Sequence, residues 1–124
     1  MSDLQEHEKK LADAFEMMWG KYPDVARLIR RGFNVVAAND VCKSFAHMVP
    51  GYNAGVKCNG GDPADHRGCR AMLALKSNEA QCYVEEREGM KITSYWLPIA
   101  GEADYFVHFS TGCKEYLDKH KNDN

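Results

Sequence analysis

Cys58, His66 and Cys69 form the densest group of metal-competent side chains in the sequence. His66 and Cys69 are three residues apart on a predicted helix and so share a face, and Cys58 lies on the Gly-rich loop before it. Two thiolates and an imidazole make three ligands of a tetrahedral zinc or iron site, with Cys82 or Cys42 as a fourth. The spacing matches no standard zinc motif, so ordinary thiols and a thiol–disulfide switch stand beside the metal reading. For a switch, Cys69 is the first candidate and Cys58 the second. Arg67, Arg70 and the start of the helix would favour the Cys69 thiolate. His108, mid-strand between aromatics, and His47, beside Met48, are candidate haem ligands, while a structural role for His108 is the competing reading. The cofactor is open among a metal ion, haem and a small metabolite.

Catalytic machinery is not expected. The sequence has no GxSxG, HExxH or P-loop pattern, and a Cys69–His66 nucleophile pair would lack an orienting third group. The chain therefore reads as a binding protein and not an enzyme.

Ser2 to Trp19 predicts an amphipathic helix, with Ser2 and Gln5 as a capping box. Its apolar stripe of Leu4, Leu11, Phe15 and Met18 suits packing on its own domain or a seam across a two-fold axis. Val25 to Ile29 and Phe33 to Ala38 read as two strands joined at Arg30-Arg31-Gly32, where Gly32 supplies the positive φ of the turn. Asn39-Asp40 caps a short helix carrying Val41, Phe45 and Met48. A loop or a set of single helical turns over 49–65 leads to a helix over 66–78, with Asp65 as its N-cap. Gln81 to Arg87, Met90 to Ile99 and Tyr105 to Ser110 are three further strands, and Gly112 to His120 a closing helix.

A symmetric last hairpin places Tyr95, Leu97, Ile99, Tyr105, Val107 and Phe109 on one face, and Trp96, Pro98, Phe106 and His108 on the other. The first face is the expected main core and ligand-pocket wall. The second is expected to lie under the N-terminal helix. Phe45, Met48, Met72, Tyr95, Leu97, Val107 and Phe109 are the candidate pocket residues.

With 124 residues and a net charge of −2, the chain suits one domain with one core and lacks the basic block a nucleic-acid surface needs. No apolar run spans a bilayer and the charged N-terminus is no signal peptide, so a cytoplasmic protein with no membrane partner is expected. Five irregularly spaced cysteines argue against a disulfide scaffold.

Three stretches carry a family resemblance: Gly32-Phe33-Asn34-Val35-Val36-Ala37-Ala38-Asn39, Leu73-Ala74-Leu75-Lys76-Ser77-Asn78-Glu79-Ala80, and Gly101 through Phe109. With the order of elements, they resemble a PAS domain over residues 22–112. This α+β reading divides the chain into a helix at 1–20 for dimerisation or cover, a PAS-like domain at 22–112, and a short helix and tail at 113–124. The resemblance implies a five-stranded antiparallel sheet in the order 2-1-5-4-3, with helices on one face and a pocket between them. It also implies a stand-alone sensor of a small ligand or of redox state, signalling through a homodimer or a partner protein. A ligand-free interaction module and a metal or cluster protein built on Cys58, His66 and Cys69 are the alternatives.

Overall fold

The computed structural model describes residues 2–58 and 69–122. Helix α1 (Asp3–Trp19) precedes strands β1 (Ala26–Arg30) and β2 (Asn34–Ala38). Helix α2 (Asp40–Ser44), a 3-10 turn at Pro50–Tyr52 and helix α3 (Ala71–Ser77) lead to β3 (Gln81–Arg87), β4 (Met90–Ile99), β5 (Glu102–Thr111) and α4 (Cys113–His120). The strands form one antiparallel sheet in the order β2-β1-β5-β4-β3, as the PAS resemblance implies. No described helix is long and apolar enough to cross a membrane.

Local sequence explains most boundaries. Ser2 accepts from the Gln5 amide, and the Gln5 side chain accepts from the Ser2 amide, closing the expected capping box of α1. Gly32 turns β1 into β2 at φ +91°, and Phe33 follows it into the left-handed region at +66°. Asn39 does more than cap α2. Its side-chain oxygen accepts from the Cys42 and Ala26 amides, and its amide nitrogen donates to the Tyr22 and Asp24 carbonyls. It is 1% exposed, so full pairing removes the penalty of burying an amide and ties α2 to the entry of β1.

Two expected elements shift. Helix α3 begins at Ala71, behind an N-cap Arg70 that makes no side-chain cap, so Cys69 precedes the helix. The expected start at His66 and cap at Asp65 lie outside the described residues. Strand β5 starts at Glu102 because β4 and β5 pair up to Ile99–Glu102, with a bulge beside Pro98.

The sheet buries two separate cores. Phe15, Ala26, Leu28, Ala37, Tyr105 and Val107 form one, with Leu11, Ala12, Trp19 and Phe109 of α1 and β5 against it. Ile29, Val35, Cys58, Ala71, Ala74, Trp96 and Phe106 form another on the side of α3. Beside α2 and α4 a third cluster gathers Val25, Ala38, Cys42, Phe45, Tyr52 and Leu117. The expected sharing of faces in the last hairpin holds, since Tyr95 stacks on Phe109 and Trp96 on His108. Their cover is the reverse of the expectation. Helix α1 lies on the Tyr105–Val107–Phe109 face, and the helices between β2 and β3 lie over Trp96, Phe106 and His108. Hairpin register decides which side chains share a face, and both faces here are apolar enough to accept a helix. Small Ala26 and Ala37 admit α1 closely, and Phe15, Trp19, Tyr22 and Phe109 join in ring contacts at 4.9–6.5 Å.

Candidate ligand cavity

Between the sheet and α3, α4 and the 3-10 turn lies a cavity of about 690 Å³. Strand alternation sets its floor: every second residue points in, namely Val25 just before β1 with Arg27 and Ile29 of β1, Phe106, His108 and Ser110 of β5, and Ile92, Ser94 and Trp96 of β4. Tyr83, Glu85 and Arg87 extend the floor on β3, and Met48, Tyr52, Cys58, Cys69, Ala71, Cys113 and Tyr116 contribute walls.

One cross-strand row carries the chemistry. Arg27 pairs with His108, and His108 pairs with Trp96. The row toward the β4–β5 turn is apolar, with Ile29 opposite Phe106. On the other side, Val25 accepts from the Ser110 amide and Ser110 pairs with Ser94, so that flank is hydroxylated.

Arg27 is 6% exposed. Its Nη1 donates to the Gly51 carbonyl at 3.0 Å and to Cys58 Sγ at 3.1 Å, and its guanidinium sits 5.0 Å from the Tyr52 ring centre. Burial works against its charge, but the acidic groups of Cys58, Tyr52 and Cys42 around it hold the pKa above the usual arginine value. Among the described residues no carboxylate pairs with it. Glu85 is engaged by Arg87 at 3.3 Å, and Arg87 also lies over Tyr116.

His108 lies flat on Trp96, with ring centres 4.8 Å apart. Its Nδ1 is 2.9 Å from the Tyr95 carbonyl, which can only accept, so Nδ1 carries the proton. Burial, reinforced by the Arg27 charge, drives its pKa down to about 3. The ring is neutral at pH 7, and its Nε2 lone pair has no hydrogen-bond partner among the described residues. The surface that His108 keeps is cavity wall. It is not covered by α1.

The sequence-derived pocket candidates divide. Met48 lines the cavity, and Phe45 is buried beside it against α4. Tyr95, Val107 and Phe109 lie on the α1 face, Leu97 is 37% exposed, and Met72 is 46% exposed on the outer side of α3. These five do not line the cavity, because the face expected to carry it is the one α1 closes. His47 is exposed in the turn after α2. Alternation could have found Arg27, Ser94 and Ser110, since the sequence places them in phase with Trp96 and His108 once the strands are paired.

The cysteines also divide. Cys58 and Cys69 both line the cavity, and His66 lies outside the described residues. Among the described residues no three His, Cys, Asp or Glu side chains are grouped to hold a metal. Burial pushes the Cys69 thiol up, against the expected thiolate. Arg70, expected to help, lies instead over the Tyr83 ring at 5.7 Å. Cys42 donates to the Ala26 carbonyl and is pushed up by burial to about 11. Cys113 touches the Tyr52 hydroxyl at 3.6 Å and is also raised by burial. Cys82 is exposed on β3.

Comparison with solved structures finds the same architecture. A sensory box sensor histidine kinase from Vibrio cholerae superimposes with a TM-score of 0.57 at 14% identity, covering 88% of this chain and 94% of that one. The PAS domain of an HTR-like protein from Haloarcula marismortui is 17% identical over 86% of this chain and 94% of its own, with a TM-score of 0.42. No protein-family model matches the sequence, and no curated protein does. The fold is PAS-like, and the first of these structures shares it over most of both chains.

Proposed function

We propose that this chain is a non-catalytic, PAS-like sensory domain that holds a small molecule between its sheet and α3–α4. The observation that carries this reading is the cavity itself. Its volume of about 690 Å³ falls in the ordinary range of small-molecule sites, and its wall mixes apolar side chains with a few directed polar ones. A domain acting only as a docking scaffold has no need to bury an arginine and a bare imidazole nitrogen beside such a space. The similarity to a sensory box structure agrees with it.

Two helices give the signal a way out. Helix α4 walls the cavity through Tyr116 and Leu117, and Asp24 accepts from the Lys114 amide in its first turn, so ligand contacts and the entry to β1 meet there. Helix α1 turns Leu11, Phe15 and Trp19 onto the sheet and leaves Leu4, Met17 and Met18 exposed at 59%, 83% and 75%. We read those three as the homodimer or partner contact, with Leu11 and Phe15 of the expected seam serving the protein's own core.

Native mass spectrometry of the intact protein, purified without oxygen, tests the reading. Non-covalent mass of a small organic molecule, lost on denaturation and reduced in a Ser94→Leu variant that narrows the cavity, is expected. A polypeptide-only mass for both proteins, with no compound raising the melting temperature of either, would overturn it.

A further inference from the structure

The polar row of the cavity narrows the class of ligand, given the sensory reading on which this step rests. Arg27 spends Nη1 on Gly51 and Cys58, which leaves the Nε–Nη2 edge without a partner among the described residues. That edge is the side-on fork of a guanidinium, two parallel N–H groups matched to both oxygens of a carboxylate. Leaving a buried cation half-paired is costly, so the position is explained if a ligand supplies the missing anion. The charge count of the described lining agrees: among the described charged residues, Glu85 and Arg87 neutralise one another, and Arg27 leaves one net positive charge. One positive charge suits a monoanion better than a phosphate dianion.

His108 adds a second requirement. It is the cross-strand partner of Arg27, so the two side chains leave the sheet about 5 Å apart. Its inward nitrogen is a lone pair that repels a carboxylate oxygen and accepts from a hydroxyl. Beyond this pair, toward the β4–β5 turn, the wall is Ile29, Phe33, Phe106 and Ala71.

We propose that Arg27 and His108 form a subsite for a small hydroxy acid, its carboxylate on the Arg27 fork, its adjacent hydroxyl donating to His108 Nε2, and its apolar remainder against Ile29, Phe33 and Phe106. Arg27 sets the requirement for charge, and His108 distinguishes a hydroxy acid from the plain acid.

Isothermal titration of the full chain with lactate, 2-hydroxyhexanoate and 3-phenyllactate tests this, each beside its deoxy acid and its primary amide. At least one hydroxy acid is expected to bind about tenfold or more tightly than its amide, and several-fold more tightly than its deoxy acid. Arg27→Gln should reduce the acid to the level of the amide, while Arg27→Lys, which keeps charge without the fork, should fall between. His108→Phe should erase the preference for the hydroxyl and keep the preference for the acid. Circular dichroism of each variant establishes that it folds, and Arg27→Lys carries the test if Arg27→Gln does not.

Amides binding as well as acids, acids binding Arg27→Gln unchanged, or no acid of the series binding the wild type would each overturn the proposal. The native mass spectrum separates this failure from that of the sensory reading. A neutral molecule found in the cavity removes the acid and keeps the sensor, whereas a bare polypeptide that no compound stabilises removes both.

Discussion

The two faces of this sheet are built from similar strands to opposite ends. On the α1 face, Phe15, Leu28, Tyr105 and Val107 are buried to 5% exposure or less, and stacked rings fill the space between helix and sheet. On the other face the same strands present Arg27, His108, Ser94 and Ser110 to about 690 Å³ of open volume. A filled face stabilises, because each buried apolar group contributes its transfer free energy and its packing. An unfilled, partly polar face forfeits part of both. The α1 side therefore carries the stability that the cavity side gives up, so the N-terminal helix belongs to the fold as well as to any interface.

Truncation on each face measures that division. Phe15→Ala should cost about 3–5 kcal/mol, the range for losing a packed aromatic, and a chemical denaturation curve reads it as a lower midpoint with an unchanged slope. Met48→Ala, on the cavity wall, should cost well under the roughly 2–5 kcal/mol of a close-packed methionine, because its neighbours already border open space. Equal losses would mean that the two faces are packed alike.

The next effect is in pH. His108 has a folded pKa of about 3, below the ordinary histidine value, so the unfolded chain takes up its proton first as pH falls. Its contribution to stability is complete above about pH 6.5 and is lost progressively toward pH 3, at up to about 1.4 kcal/mol per pH unit. His108→Phe should remove that slope over this window. A variant whose stability falls with pH as steeply as the wild type's would show that His108 is solvated.

Why the sequence revealed one face and not the other follows from particular residues. Alternation along β4 and β5 groups Tyr95 with Phe109 and Trp96 with His108 without any knowledge of the fold, and the capping signals at Ser2 and Asn39 start their helices as read. The resemblance carried by 32–39 and 101–109 supplied the strand order. Which helix covers which face depends on the path taken after Trp19 and on the small size of Ala26 and Ala37, and neither leaves a periodic trace. Pocket residues drawn from the wrong face followed from that one choice. Arg27 was hidden differently: an arginine flanked by apolar residues in a short strand looks like an exposed edge residue until the pairing with His108 turns it inward. Cys69 was misjudged because charge near a thiol is visible in sequence, while burial, which dominates here, is not.

Thiol reactivity sharpens the same contrast at lower cost to the fold. Timed alkylation with iodoacetamide at pH 7.5, read by peptide mass spectrometry, should modify exposed Cys82 first. Cys69 and Cys113, half-buried and raised by burial, should follow slowly. Cys42, fully buried and pushed up to about 11, should react only on global unfolding. Early labelling of Cys69 would instead restore it as a redox candidate and show that its end of the cavity opens to solvent.

The smallest effect on stability carries the sharpest distinction between the faces. Ser94 points into the cavity between Ile92 and Trp96 on β4, and its cross-strand partners are Tyr83 and Ser110. Ser94→Leu adds apolar volume where volume is available, so it should change stability by less than about 1 kcal/mol and raise it if the new side chain packs. Ala37→Leu, a comparable enlargement at a 4%-exposed position of the α1 core, has no such room and should cost about 1–3 kcal/mol through displaced neighbours. Thermal melts of the pair, with ligand-free protein, decide the matter. A destabilised Ser94→Leu and a tolerated Ala37→Leu would put the free volume on the α1 side, and with it the place where a ligand must be sought.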